Sequence, residues 1–464
     1  MGLKVEIPTT LARILRETPQ LDKAYLVGGC VRDALLGNPG KDFDIEVFGI
    51  SNEELSRVLS PWGKTDLIGK SFGVVKLTVA EGATYDFTIP RRDSKVAPGH
   101  KGFEIQFDPD ISPKEAASRR DFTINSLMYD PLREELLDFF GGHGDLENRI
   151  LRHTSDAFTE DPLRVLRGMQ FASRFALTPA PETVLLCRQI KAGHSELAIE
   201  RVRDEWFKWA SRSILPSAGL RFLVDTQWVE HYPEIQKVIG TPQEPEWHPE
   251  GDVFVHTCHC CDALAKQQEW RAADETTRIV LMLATLTHDF GKAVTTQEAV
   301  RDGRTRIISP KHEDAGVELA EEFCQRIGVP SGIIERVLPL VAGHMAHMMT
   351  VTDRSVRRLA KRLEPETIEN LLLLMRADAA GRPPKPFRLP ETVKQLEAKA
   401  RELQVQSSAP KRILLGRHLL QLGLKPGPEF TTILETAYEA QLEGKFGTLE
   451  EAMNWLGREL RPHQ

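Results

Sequence analysis

No apolar run in this sequence approaches the roughly 20 residues needed to span a bilayer. The opening stretch, Met-Gly-Leu-Lys-Val-Glu, also lacks the charged and apolar regions of a secretory signal. Both absences predict a cytoplasmic chain with no membrane partner. Cysteine is scarce: six in 464 residues make no disulfide framework, so free thiols in a reducing compartment are expected. The Cys258-His-Cys-Cys261 cluster has no second ligand pair at finger-like spacing and reads as cysteines packed within a helix. Basic residues are not in excess either. The net charge of −7 argues against indiscriminate nucleic-acid binding but leaves room for a local basic groove. No internal repeat or low-complexity tract is visible. What remains is an ordinary globular composition, too long for one core, for which about three domains are expected.

One short stretch organises the rest: Leu26-Val-Gly-Gly-Cys-Val-Arg-Asp-Ala-Leu-Leu-Gly37, followed by Lys41-Asp-Phe-Asp-Ile-Glu-Val47. It predicts a strand over 22–30, a paired-glycine turn, a short helix, and a second strand carrying Asp42 and Asp44. Two residues apart on a strand, both carboxylates leave the same face. Such a pair suits Mg²⁺, which takes one or two protein carboxylates and completes its shell with substrate phosphates and water. Gly28 and Gly29 would let backbone N–H groups approach a triphosphate, and Arg32 would meet its charge. A helix is expected over Asn52–Leu59 and a strand pair over Val74–Val79 and Thr84–Ile89. Asp86 on that pair is a candidate third metal carboxylate, or an ordinary strand acid. The basic, Gly/Pro-punctuated segment 91–120, with Arg91, Arg92, Lys95, His100 and Lys101, reads as a loop. Beside a metal site it could touch substrate phosphates. It ends in Arg119-Arg-Asp-Phe-Thr-Ile-Asn-Ser-Leu127, read as two arginines before an alternating strand whose Asn125 can bond a ribose hydroxyl. The stretch 137–146, Leu-Asp-Phe-Phe-Gly-Gly-His-Gly-Asp-Leu, reads as strand, glycine turn and helix.

Residues 158–175 read as one helix with Pro162 in its first turn, which puts Asp161, Arg164 and Arg167 on one face. An Asp and an Arg held rigidly supply the acceptors and donors that a Watson–Crick edge requires; a surface ion pair is the bland alternative. Another helix carries Ala198-Ile-Glu-Arg-Val-Arg-Asp-Glu-Trp206. Taken in order, these motifs resemble the class II tRNA nucleotidyltransferases, the CCA-adding enzymes that share a head with bacterial poly(A) polymerases. The resemblance covers residues 25–210. It implies that Asp42 and Asp44 hold Mg²⁺, and that Gly29, Arg32 and one or both of Arg119 and Arg120 bind the incoming nucleotide. It also implies that Asp161 and Arg164, with Arg167 beside them, read the base. Gln170 stands where the family often has a further arginine.

Beyond residue 240 come His256, Thr287-His-Asp-Phe-Gly-Lys292, His312, His344 and Asp378. Imidazole and carboxylate on separate helices can converge on one or two divalent ions, and the mixture suits Mn²⁺, Ni²⁺, Fe²⁺ or Zn²⁺ better than Ca²⁺. The ordered set resembles the HD phosphohydrolase superfamily. That resemblance implies core ligands His256, His288, Asp289 and Asp378, with His312 and His344 completing a second position, and hydrolysis of phosphate esters such as 2′,3′-cyclic or terminal phosphates. After a Pro-rich break at 381–387, helices are expected over 391–405 and Glu429–Glu443, and the Lys-Pro-Gly-Pro428 turn could meet an RNA phosphate.

The expected architecture is an α/β head, a mixed sheet with helices, followed by an all-α neck, HD body and tail. Its boundaries are 1–145, 146–225, 226–390 and 391–464. The expected activity is addition or repair of the tRNA 3′ CCA from CTP and ATP, with a phosphohydrolase in the body. Alternatives are a poly(A) polymerase, a CC-only or A-only enzyme, and an HD phosphohydrolase with an RNA-binding head. The oligomeric state stays open.

Overall fold

The computed structural model describes residues 5–38, 40, 42–68, 73–95, 103–301 and 303–459. Two compact units divide the chain: residues 1–209 with 218–231, and residues 210–217 with 232–464. His100 and Lys101 of the basic segment lie outside the described residues.

The first unit is built on a seven-stranded sheet of order β3-β4-β5-β2-β1-β8-β9. Its strands are β1 (Ala24–Val27), β2 (Asp44–Val47), β3 (Gly63–Ile68), β4 (Val74–Val79), β5 (Thr84–Thr88), β8 (Met128–Asp130) and β9 (Glu135–Leu137). A separate hairpin pairs β6 (Arg91–Lys95) with β7 (Phe103–Phe107). Within the seven-stranded sheet the pairings are antiparallel except β2 with β5, whose parallel register sets Asp44 opposite Asp86. Alternation decides the faces. Phe43, Ile45 and Val47 are buried with Leu26, Leu77 and Phe87 in one core, while Asp42 and Asp44 point to solvent. Helices α1 (Thr9–Glu17), α2 (Gly29–Leu35) and α3 (Asn52–Leu59) flank the sheet; Leu11, Val31 and Leu55 enter the same core.

Four expectations are corrected. Asp42 precedes β2 instead of lying on it, although the alternation of exposed and buried residues still carries through Asp42 and Asp44. Residues 91–120 are not a loop: they contain the β6–β7 hairpin and helix α4 (Pro113–Ser118). The stretch after Arg120 is not a strand until Met128, because a 3₁₀ turn spans Thr123–Asn125. Asp121 accepts from Asn125 Nδ2 at 3.0 Å, closing an i,i+4 turn that an extended chain could not make. Finally, 158–175 is two pieces, a 3₁₀ turn Asp156–Glu160 and helix α6 (Leu163–Phe175), α5 being Gly142–Glu147. A residue before proline is driven out of the α region. Asp161, ahead of Pro162, is accordingly extended at φ −122° and ψ 103°.

The second unit is helical apart from a small hairpin, Gln297–Arg301 with Arg304–Ile308. Helices Val253–Lys266, Glu275–Thr287, His312–Arg326, Ser331–Gly343 and Ile368–Ala380 pack as a bundle. Gly291 is required by close packing: a Cβ there would stand 2.0 Å from the His312 carbonyl oxygen. The tail helices Glu391–Glu402 and Pro428–Leu442 fall within a few residues of expectation. Among the described residues no helix is long and apolar enough to cross a membrane.

Candidate functional site

In the first unit the site starts at Gly28, whose φ of +69° only glycine adopts without strain. A side chain there would also press on Arg120, whose Nη1 would lie 3.0 Å from the new Cβ. Arg120 pairs with Glu46 at 3.3 Å, on the β2 face that carries Asp44. Desolvation by the surrounding protein, then the like charges of Asp86 and Asp42, raise the Asp44 carboxyl above its ordinary value, and Arg120 only partly offsets them. Asp86 Oδ1 is a buried oxygen with no hydrogen bond, its nearest cation being Lys76 at 3.6 Å. Mutual repulsion and an unsatisfied carboxylate oxygen are what a divalent cation relieves, so these residues fit one. They do not form a ready-made cage. Mg²⁺ does not need one, since it keeps water and substrate oxygens in its shell.

Behind the carboxylates a buried chain joins α2 to α6. Arg32, 4% exposed, bonds Asp33 Oδ1 through Nε at 2.8 Å and donates Nη1 to Asn125 Oδ1. Its guanidinium lies 4.5 Å from the Phe175 ring centroid. Asn125 continues to Asp121, which takes Arg167 Nε at 2.6 Å. Burial opposes charge on Asp121, but Arg167 and the hydrogen bonds outweigh it and hold the carboxyl below its ordinary range. Both ends of the Asn125 amide are thus engaged within the protein.

Asp161 does not share a helix face with Arg164. Its Oδ1 accepts from Leu163 N at 3.0 Å, and its Oδ2 pairs with Arg201 at 2.8 Å. Arg164 is fixed by donating to the carbonyls of Ala157 (2.7 Å) and Arg119 (2.8 Å), and Arg119 pairs with Glu160 at 2.9 Å. Gln170 is buried with its Oε1 unsatisfied. Asp121 and Arg201 were missed in the sequence. Both lie inside the motifs quoted, but long-range pairing leaves no local signal.

In the second unit all six expected ligands converge. Among the described residues, Asp289, His312 and His344 form one group of ligand atoms within 4.8 Å, and His256, Cys260, His288 and Asp378 form another. Hydrogen bonds fix the imidazoles. Nδ1 of His288, His312 and His344 meets the carbonyls of Thr285 (2.8 Å), Ser309 (2.9 Å) and Val341 (2.6 Å). Nδ1 of His256 meets the Glu250 carboxylate at 2.8 Å. Each Nδ1 therefore carries a proton, which turns every Nε2 inward. There His312 Nε2 faces His344 Nε2 at 3.1 Å, and His256 Nε2 faces Asp378 Oδ1 at 3.2 Å. Without an ion, protons bridge these contacts: burial opposes charge on His256 and His312, yet the anions beside them hold both above the ordinary value, and Arg382 meets Asp378 Oδ1 at 2.7 Å. A divalent ion would take the place of those protons, so the donor set fits one. Burial and the neighbouring histidines hold His344 down at about 3, a neutral ligand. Burial disfavours charge on Asp289, yet His288 and Lys292, the latter at 2.7 Å, keep it ionised well below the usual range. A pocket of about 580 Å³, lined by Asp378, Trp247 and the cations Arg382, Lys385 and Arg388, opens beside the ligands. Cys260, Glu250 and Arg382 were not expected at the site.

Comparison with known proteins gives the same division. The poly A polymerase head domain family matches residues 24–152, and the HD domain family matches 253–381. The multifunctional CCA protein of Methylococcus capsulatus is 36% identical over 376 residues, 78% of this chain and 82% of its own. That of Acinetobacter baumannii is 32% identical over 428 residues, 88% and 97% respectively. The Bacillus stearothermophilus CCA-adding enzyme in complex with CTP superposes with a TM-score of 0.63 at 19% identity, covering 98% of both chains. The Thermotoga maritima CCA-adding enzyme complexed with tRNA gives 0.61 at 18%, covering 98% of this chain and 97% of that one. At such identities the structures establish a shared fold, while the two curated relatives establish descent. The chain belongs to the multifunctional CCA protein family, the class II CCA-adding enzymes that carry an HD domain.

Proposed function

We propose that this chain adds or repairs the 3′-terminal CCA of tRNA, using CTP and ATP and releasing pyrophosphate, in the cytoplasm. The tRNA 3′-hydroxyl oxygen attacks the α-phosphorus, the bond to pyrophosphate breaks, and the hydroxyl proton leaves to solvent. The observation that supports this most is the Asp44–Asp86 register pair beside the Gly28 turn and Arg120. Asp42 and Asp44, with Asp86 as third carboxylate, would hold Mg²⁺, whose charge lowers the barrier by neutralising the developing negative charge. Gly28 and Gly29 let the triphosphate approach the backbone, and Arg120 and Arg119 meet its charge. Arg32 and Asn125 hold that wall rigid through Asp121. Asp161 and Arg164, with Arg167 behind them, present acceptor and donors to the base edge. Arg201 and the backbone carbonyls hold them in place of a template. For these roles we retain the boundaries read from the sequence, head 1–145, neck 146–225, HD body 226–390 and a tRNA-binding tail 391–464.

In the body, His256, His288, Asp289 and Asp378, with His312 and His344, would hold Mn²⁺, Ni²⁺, Fe²⁺ or Zn²⁺, which supplies an activated water for phosphate-ester hydrolysis. Arg382, Lys385 and Arg388 give the adjoining pocket the charge that a phosphate requires. Asp42→Ala separates the two activities: nucleotide incorporation should fall at least about 10³-fold while phosphate-ester hydrolysis is unchanged. Incorporation at the parental rate would contradict the carboxylate assignment.

A further inference from the structure

The imidazoles of the HD site are not anchored alike. Nδ1 of His288, His312 and His344 each donates to the carbonyl three residues earlier in the chain, of Thr285, Ser309 and Val341. His256 departs from that pattern. Its Nδ1 meets a carboxylate, Glu250 Oε1, at 2.8 Å, with the Gly381 carbonyl oxygen farther off at 3.1 Å. Glu250 stands outside the ligand helix, in the stretch His248-Pro-Glu-Gly-Asp252 that leads into Val253–Lys266.

The local sequence fixes that carboxylate. Gly251, at φ +128°, turns the chain from Glu250 into the helix. Asp252 caps the helix by accepting from Val255 N at 2.8 Å, and its other oxygen accepts from Gly240 N at 2.7 Å. The Glu250 side chain is 1% exposed. Its Oε1 also meets His248 Nδ1 at 2.8 Å, and the His248 ring packs edge-on against His256 with centroids 4.7 Å apart. Oε2 is buried too and makes no hydrogen bond among the described residues. A buried anion is costly unless something compensates it. Here the carboxylate leans on two imidazoles, and one of them turns its far nitrogen to Asp378 at 3.2 Å and Asp289 at 3.6 Å, within the ligand cluster.

We propose that Glu250 is a positioning residue of the HD site, which aims His256 at the metal and makes that imidazole a stronger donor than the three held by carbonyls. A hydrogen bond to an ionised acceptor is about twice as strong as one to a neutral carbonyl. A carboxylate behind an imidazole also raises the basicity of the nitrogen that faces the metal. Glu250 acts through His256 and touches neither ion nor substrate. The proposal rests on the HD metal site argued above and adds a residue on which its affinity depends.

The test strips the full-length protein with a chelator and titrates it with Ni²⁺ by calorimetry. Proton NMR of the nickel-loaded protein then shows the hyperfine-shifted Nδ1–H signals of the ligating imidazoles, which are lost on exchange into D₂O. Glu250→Gln keeps the shape and a neutral acceptor; it should weaken Ni²⁺ binding about 10-fold and move one of those signals while the rest stay in place. Glu250→Ala should weaken binding by up to about 100-fold. In both variants far-ultraviolet circular dichroism and nucleotide incorporation by the head should match the parent. Glu246→Gln, an exposed acid of the same segment paired with Arg306, should leave nickel binding unchanged. Parental affinity in both Glu250 variants, or a shift of every signal together, overturns the role of Glu250 and leaves the metal site standing. A parent that takes up no stoichiometric Ni²⁺, or uptake indifferent to His288→Ala, overturns the site and the proposal together.

Discussion

Asp161 is the residue on which nucleotide choice turns in this account. Its carboxylate has two partners, the Leu163 N–H and Arg201, and both fix its direction. Arg164, half-buried and anchored to two carbonyls, is fixed independently. Rigid groups discriminate because a mismatched base leaves a polar atom without its partner, at about 1–3 kcal/mol each. Asp161→Ala should therefore blur the choice between CTP and ATP about 10-fold or more while slowing incorporation less. Competition assays with both nucleotides measure this, and a variant that slows without misincorporating would speak against base reading.

At the scale of elements, the buried chain Arg32–Asn125–Asp121–Arg167 holds α2 and α6 together. Asp121→Ala leaves Arg167 without its partner, but that side chain is 36% exposed and water reaches it, so the loss should be about 1–3 kcal/mol. The pH dependence follows from the direction of the shift. A carboxyl held below its unfolded value of about 3.9 stabilises the fold above that pH, and the stabilisation disappears as pH falls through the folded value. Thermal unfolding from pH 7 to pH 3 should show that acid-side loss in the parent and a smaller one in the variant. The elements themselves were mostly legible. Helices over Asn52–Leu59 and near 429–443 and the 74–79 strand follow from apolar period and caps. The strand assigned to 121–127 failed because that stretch is buried on every side, which erases alternation, and because Asp121 and Asn125 bond each other locally. The single helix over 158–175 failed through Pro162, whose effect on the preceding residue outweighed the apolar period. In the body, the HD ligands stand out in the sequence as histidines and aspartates.

For the whole molecule, the two units carry separate ligand sets, carboxylates with arginines in one and imidazoles with carboxylates in the other. Neither set shares a residue with the other, so transfer and hydrolysis should fail independently. The central claim is the transfer reaction, and its product is distinctive. The most direct measurement incubates the full-length chain with a tRNA lacking its CCA end, in Mg²⁺ with CTP, ATP or both, and sequences the 3′ ends. The account predicts ends reading CC with CTP alone and CCA with both nucleotides, with no further growth. Long A tails, or ends left unchanged, would contradict it.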